Sequence, residues 1–361
     1  MQASILALST AVPQYAFSQD EIVDKTIQYL SVDTETSARL KHLYANSAIA
    51  CRHSVVPDFK KNRENWDFWG KNFPHQTPST KQRNVLYMQE APKLAAEAAL
   101  KALRAWGGNP SALTHIISVS CTGLVAPGLE FTLMQQLQLN PSIQRFGINF
   151  MGCFGAFKGL SLAKSFAREN PHHRILVVCT ELCSLHFQTN LTPDNILGNS
   201  IFADGAAAVI VGCQPQENET SLWTIEHTAS FALQDSLQQM SWDIGDHGFN
   251  MRLSHKVPVL LGRHITPFID DLIGSRFTRD ECNWAIHPGG KSIIQAIEKA
   301  LQLPSGHAEE AWAVLSAYGN MSSATILFVL EKILEGKSQK QWTLGVGFGP
   351  GLSIEGFILR R

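Results

Sequence analysis

The sequence predicts a layered α/β protein built from two similar halves, and three observations carry that prediction. Short apolar strand patterns alternate with long amphipathic helices in both halves, the pattern of helices covering sheets. A strand leading to Cys153 and a helix in the first half has a counterpart in the second, where a strand leads to His287, a turn and a helix. No polar linker separates the two, so they are subdomains of one body. The length of 361 residues and the apolar fraction of 44% suit a core of that size.

In chain order, Ala3 to Ala11 is a strand that stops at Pro13, and Ser18 to Glu21 is an acidic start to a helix reaching Leu30. Ser37 to Ala48 is a second helix with Arg39, Lys41 and His42 near one side, and Ile49 to Val56 is extended. Pro57 to Thr80 is a polar and aromatic excursion with short helical pieces, whose Trp66 and Trp69 either pack it down or line a partner surface. Gln82 to Trp106 is a long amphipathic helix ended by Gly107 and Gly108.

Thr114 to Ser120 is a strand, followed by Cys121–Thr122–Gly123, a turn at Pro127–Gly128 and a helix from Leu129 to Leu139. Arg174 to Thr180 is continuously apolar, as in a strand buried on both faces. Phe202 to Val211 reads as another inner strand, and residues 222–251 as strand and loop. Lys256 to Ile273 is a helix, Trp284 to Ile286 a short strand, and Lys291 to Leu301 a helix. Ala311 to Ser316 leads to Tyr318–Gly319–Asn320, and Ser322 to Leu334 is helical. Trp342 to Gly347 and Leu352 to Leu359 are paired strands around a glycine turn.

Composition excludes several classes. The 30 basic and 31 acidic residues nearly cancel, which argues against a nucleic-acid surface. Seven scattered cysteines with no CxxC pair argue against a disulfide framework or a structural zinc site. The first ten residues lack the basic start of a signal peptide, and no apolar run is long enough to span a bilayer. A cytoplasmic protein without stable membrane insertion is expected.

The stretch organising the chain is Ile148 to Ala167, INFMGCFGAFKGLSLAKSFA. Cys153 falls at or just before a helix N-terminus, where unpaired N–H groups and the positive end of the dipole favour a thiolate. A buried, inert core cysteine is the competing reading. His287 and Asn320 stand at comparable junctions. An imidazole beside the sulfur would activate it, and His287 with the Asn320 amide could form two donors facing a developing oxyanion. Equally, His287 could cap a helix and Asn320 could serve a tight turn or cap the next helix.

Six motifs stand in register: CTGLVAPG (Cys121 to Gly128), MGCFGA (Met151 to Ala156), IFADGAAAV (Ile201 to Val209), WAIHPGGKSI (Trp284 to Ile293), AYGNMSSATILFVLE (Ala317 to Glu331) and GFGPGLSIE (Gly347 to Glu355). With them the chain resembles the type III polyketide synthases, the chalcone synthase-like group of the thiolase superfamily. The stretch ELCSLHFQ (Glu181 to Gln188) resembles bacterial and fungal members rather than the plant flavonoid enzymes. The resemblance implies a thiolase-like αβαβα fold, with residues 1–212 carrying the nucleophile and 213–361 carrying the histidine and asparagine.

It implies further that Cys153 takes an acyl-CoA starter and the growing chain, while His287 and Asn320 drive malonyl-CoA decarboxylation. Repeated condensation would be followed by cyclisation to a pyrone, resorcinol or related aromatic product. Phe202 matches an aromatic gatekeeper, and Phe249 falls close to a second. Positions shaping the cavity match Cys121, Thr122, Ala126, Cys183, His186, Gly248 and Ser322. Cys183 and Gly248 leave space for an aliphatic starter. His186 is either a donor to the ketide or a satisfied core histidine. Ala126 matches a position that reaches across a homodimer interface. Arg39 and Arg52 match the region that meets CoA phosphates. No metal or other cofactor is expected, CoA thioesters being substrates. A ketoacyl synthase-like enzyme making one condensation and an inactive scaffold of the same fold are the alternatives.

Overall fold

The computed structural model describes residues 2–216, 218–336 and 338–361. The first half comprises β1 (Ala3–Ala11), β2 (Tyr15–Ser18), α1 (Gln19–Leu30), α2 (Thr34–Ala45), β3 (Cys51–Ser54), α3 (Thr80–Trp106), β4 (His115–Ser120), α4 (Leu129–Gln136), β5 (Gln144–Asn149), α5 (Gly155–Glu169), β6 (Arg174–Leu182), α6 (Pro193–Ile201) and β7 (Asp204–Cys213). The second half comprises β8 (Trp223–Ala232), β9 (Met240–Gly245), β10 (Gly248–Leu253), α7 (Val257–Ile273), β11 (Cys282–Ile286), α8 (Lys291–Leu301), α9 (Glu309–Tyr318), α10 (Thr325–Glu335), β12 (Trp342–Gly349) and β13 (Ser353–Arg360).

The main sheet runs β11-β12-β13-β8-β1-β7-β6-β4-β5. Its centre is thin, because β1 and β8 pair only through Ser4↔Thr224 and Ile5↔Trp223. The remaining pairings are duplicated about that seam. β4 runs parallel to β6 as β11 does to β12, and β6–β7 is antiparallel as is β12–β13. β7 returns antiparallel to β1 as β13 does to β8. Helices α5 and α10 share one buried cluster with strand residues from both halves, including Val177, Val209 and Phe357. Helices α3 and α4 cover the outer face of the first half, and α7 and α8 that of the second. The layers are therefore α, β, α, β, α.

Local chemistry explains the elements. Ser18 and Glu21 form a capping box at α1, as do Ser79 and Gln82 at α3, each worth about 1 kcal/mol to its helix. Ala91, Ala95, Ala98, Ala99 and Ala102 of α3 are fully buried and let the helix approach the sheet closely. The aromatic excursion packs inward. Trp66, Trp69 and Phe73 are buried in edge contacts, and the Asp58 carboxylate accepts the N–H groups of Phe68 and Trp69 at 3.0 and 2.7 Å.

Some elements differ from the sequence expectation. α2 starts earlier, because Asp33 caps it by accepting the Thr36 N–H, and it ends before Ala48, which has φ +62°. The inner strand begins at Asp204, so Phe202 lies outside it as the C-terminal cap of α6, a helix the sequence reading did not find. The stretch from Ala311 is the helix α9, and Gln144–Asn149 is an edge strand. Among the described residues no helix is long and apolar enough to cross a membrane.

Candidate active site

Three junctions converge on one cavity. Cys153 lies in the 3₁₀ turn Gly152–Phe154 that opens α5, His287 follows β11, and Asn320 follows α9. All three line the same apolar chamber with Phe202, Met240 and Phe348. Gly152 is required at the turn. Its φ is +71°, and a Cβ there would stand 2.5 Å from Pro350 Cδ.

Asn320 is held on both sides. Its Oδ1 accepts the Ser322 backbone N–H at 2.8 Å, which fixes the amide orientation. Its Nδ2 donates to Gly289 O at 3.2 Å and faces Cys153 Sγ at 4.0 Å. The backbone of Asn320 is clasped to the Phe202 segment by Asn320 N–H to Ile201 O and Ala203 N–H to Asn320 O, both 2.9 Å. Phe202 of the first half and Asn320 of the second thus share one backbone bridge.

His287 is fixed by its main chain, with its N–H donating to Val346 O at 2.8 Å and its carbonyl accepting from Gly289. Both ring nitrogens are buried and lack a protein partner. Burial pushes its pKa down to about 3, so the ring is neutral at physiological pH. Cys153 differs from the thiolate expected at a helix start. Burial pushes its pKa up to about 11, hydrogen bonds from Ser322 and Asn320 oppose this, and the Glu181 carboxylate adds to it. Desolvation outweighs the short turn's dipole, and the resting group is a thiol.

Two further chambers adjoin this one. A second is lined by Cys121, Thr122, Cys153, Cys183, Trp242 and Ser322. A third, larger chamber contains Cys183, His186, Trp242 and Phe249. Phe202 and Met251 line all three. Phe249 touches only the large one, where it stacks on His186 at 4.1 Å. Met251, two residues on and on the same face of β10, lines the two chambers that hold Cys153, which Phe249 does not reach.

The other expected site residues fall into clear places. Ser322 Oγ lies 3.2 Å from Cys121 Sγ. His186 is satisfied at both nitrogens, Nδ1 accepting the Phe249 N–H at 3.0 Å and Nε2 donating to Thr122 O at 2.8 Å. Burial holds it neutral too, near pKa 3. Gly248 lines none of the three chambers; with φ +100°, a Cβ there would meet Arg83 Nη1 at 2.8 Å. Ala126 is exposed and lines none of them in this single chain. Arg39 is exposed on α2, away from the chamber walls.

Arg52 is buried, and it lines the large chamber with its Nη2 lacking a protein partner. Its Nε and Nη1 donate to Gln19 Oε1, Asn199 O and Phe202 O at 2.9, 2.7 and 2.8 Å, so it braces the Phe202 backbone.

Sequence reasoning missed Glu181, Met240, Trp242 and Met251. Glu181 accepts from Cys121 N at 3.0 Å, Thr122 Oγ1 at 2.9 Å and the Ser323 hydroxyl, tying the two halves together under the cavity floor. An acid ending an otherwise apolar strand was its signal. The other three lie on the β9–β10 hairpin, which has no motif of its own.

Comparison with known proteins adds an independent finding. Residues 1–215 match the family described as chalcone and stilbene synthases, N-terminal domain, and residues 225–361 match its C-terminal domain. Probable polyketide synthase 1 of Dictyostelium discoideum is 35% identical over 99% of this chain, which spans 11% of that protein's length. Type III polyketide synthases C and A of Arabidopsis thaliana are both 29% identical, over 100% and 99% of the chain and 95% and 93% of their own lengths. Among solved structures, the C-terminal type III domain of Steely1, a type I/III hybrid from Dictyostelium, superposes with TM-score 0.94 at 35% identity, covering 100% of this chain and 99% of that one. PKS-I from the brown alga Ectocarpus siliculosus superposes with TM-score 0.93 at 28% identity, covering 100% and 98%.

Proposed function

The chain belongs to the chalcone and stilbene synthase family, the type III polyketide synthases, and from that premise we propose that it loads an acyl-CoA starter on Cys153 and extends it repeatedly with malonyl-CoA. The observation that carries this reading is the single chamber shared by Cys153, His287 and Asn320, with the His287 nitrogens unpartnered.

In this reading the Cys153 sulfur attacks the starter thioester and CoA leaves with the proton. Malonyl-CoA then enters the same chamber. Its carboxylate is disfavoured by the apolar wall, and the carbon–carbon bond breaks to release CO₂. The electron pair moves onto the thioester oxygen, where one N–H of neutral His287 and the Asn320 amide N–H receive it. Donors aimed at charge that appears only in the transition state accelerate the step. The enolate carbon attacks the Cys153 thioester, a carbon–carbon bond forms and the thiolate departs; it then attacks the lengthened acyl-CoA, CoA leaves, and the chain is back on Cys153 for the next round. Cyclisation to a pyrone, resorcinol or related product closes the sequence. The reading uses no metal or resident cofactor.

Two subsidiary parts belong to the proposal. The halves divide near residues 212 and 213, beside the end of β7. A homodimer covers the exposed apolar residues Leu124 and Val125 next to Ala126, and the exposed Met151.

The test is purified protein with radiolabelled malonyl-CoA and a panel of acyl-CoAs, with products resolved by mass. Two or more malonyl units per starter, released as cyclised products, are expected. A single unit would favour the ketoacyl synthase-like alternative. Failure of every acyl-CoA to label Cys153 would favour an inactive scaffold.

A further inference from the structure

Resting on the donor role proposed for Asn320, we infer that Arg52 is a positioning residue for that donor. By taking carbonyls at the end of α6, its guanidinium leaves the Ala203 N–H free to clasp the Asn320 backbone. The last carbonyls of a helix lack partners within it and must find them elsewhere. At the end of α6 they are shared out between the two halves of the chain. Arg52 Nη1 donates to Asn199 O and Phe202 O at 2.7 and 2.8 Å, and Gln19 Nε2 donates to Ser200 O at 2.7 Å. The Asn320 N–H donates to Ile201 O at 2.9 Å.

Asn199 O is the decisive acceptor. In a continuing helix it would accept from the N–H four residues on, that of Ala203. Here that N–H goes to Asn320 O instead, at 2.9 Å. The Asn199 carbonyl can release it because a guanidinium N–H takes its place, in a charge-assisted bond at the negative end of the helix dipole. The Arg52 side chain is fixed for this task. Its Nε donates to Gln19 Oε1 at 2.9 Å, and its stem lies beside Gly319, where a Cβ would stand 2.9 Å from Arg52 Cγ. Just before β3, the Ala50 N–H donates to Ser316 O of α9 at 2.8 Å. The residue ahead of Asn320 therefore packs on Arg52, and the Asn320 backbone is held by the helix end that Arg52 completes. Nη2 lacks a protein partner and takes no part in the brace.

The experiment uses the full chain with Arg52→Met, which keeps an unbranched stem and removes every donor, and Arg52→Lys, whose ammonium still reaches a carbonyl. In Arg52→Met the kcat for malonyl-CoA decarboxylation should fall about tenfold or more through a displaced Asn320 amide, with KM held within about twofold. Arg52→Lys should recover most of that loss. Adding Arg52→Met to Asn320→Ala should cost less than about twofold more, because residues that act through one group are not additive. In a crystal structure of Arg52→Met, the Ala203 N–H should have turned to Asn199 O, and the 3.2 Å contact from Asn320 Nδ2 to Gly289 O should be broken. Thermal melting verifies folding. If Arg52→Met does not fold, Gln19→Leu, which releases Nε and Ser200 O, should show the same pattern at smaller size.

A raised KM with kcat held would make the guanidinium a substrate contact, and additive losses in the double variant would make it general scaffolding. Either result overturns the inference, as does an unmoved Asn320 amide in the crystal. If the wild type decarboxylates no malonyl-CoA, the proposed function falls instead, and the crystal structure of the variant still decides the role of Arg52.

Discussion

His287 and His186 line different chambers that share Phe202, and burial lowers the pKa of both to about 3. Yet their surroundings differ. His186 has a partner at each nitrogen and holds the Thr122 loop against Phe249. His287 has none at either. A shifted pKa therefore does not separate a brace from a candidate catalyst here. Unfulfilled hydrogen-bonding capacity does, because the fold pays for it at folding and recovers it only when a substrate oxygen arrives.

The harshest test of that contrast removes the nucleophile. Cys153→Ala should abolish condensed product while some malonyl-CoA decarboxylation survives, since the two donors remain; loss of both activities together would break the division of roles. Next come the donors themselves. His287→Ala or Asn320→Ala should slow decarboxylation by about 10²–10³.

His186→Ala should act through stability instead. It strands the Phe249 N–H and the Thr122 carbonyl at roughly 1–3 kcal/mol each, lowering Tm by several degrees. An unchanged Tm with lost turnover would reverse the assignment of the two histidines.

A smaller effect comes with pH. In the unfolded chain each histidine titrates near its ordinary 6.5, and in the native state near 3. Between those values only the unfolded chain binds the proton. The stability is thus complete above pH 6.5 and falls as pH drops, by up to about 1.4 kcal/mol per unit for each ring. Denaturant melts from pH 8 to 5 should show this slope, and His186→Asn should halve it. Alkylation of Cys153 should climb with pH without levelling below about pH 10, because its pKa is pushed up to about 11. A plateau near pH 7 would mean a resting thiolate.

The mildest change is Gly248→Ala, which forces φ +100° on a Cβ against Arg83 and should cost about 1–3 kcal/mol with the product profile unchanged. A shortened product would return Gly248 to the cavity wall.

Much of this was legible in the chain. Strand and helix periodicities located β1, β4, β6, α3, α7 and α8, and the strand–Cys–helix and strand–His–turn–helix junctions pointed to the site. Less legible were residues whose role depends on register. In β10, Phe249 and Met251 share one face, yet only Met251 reaches the Cys153 chamber. Arg52 looked like a surface cation because nothing nearby in sequence announces Gln19, Asn199 and Phe202 as its partners.

By itself the sequence determined the duplicated α/β plan, the chemistry on offer at Cys153, His287 and Asn320, and the family. Those depend on local periodicity and on short motifs, which the linear chain carries whole. Only the tertiary structure decided that the three meet in one chamber, that the sulfur rests as a thiol, that Arg52 is a brace and that a second apolar room opens beyond Cys183. Each of these depends on desolvation and on partners far apart in the chain, and neither exists until the two halves close on one another.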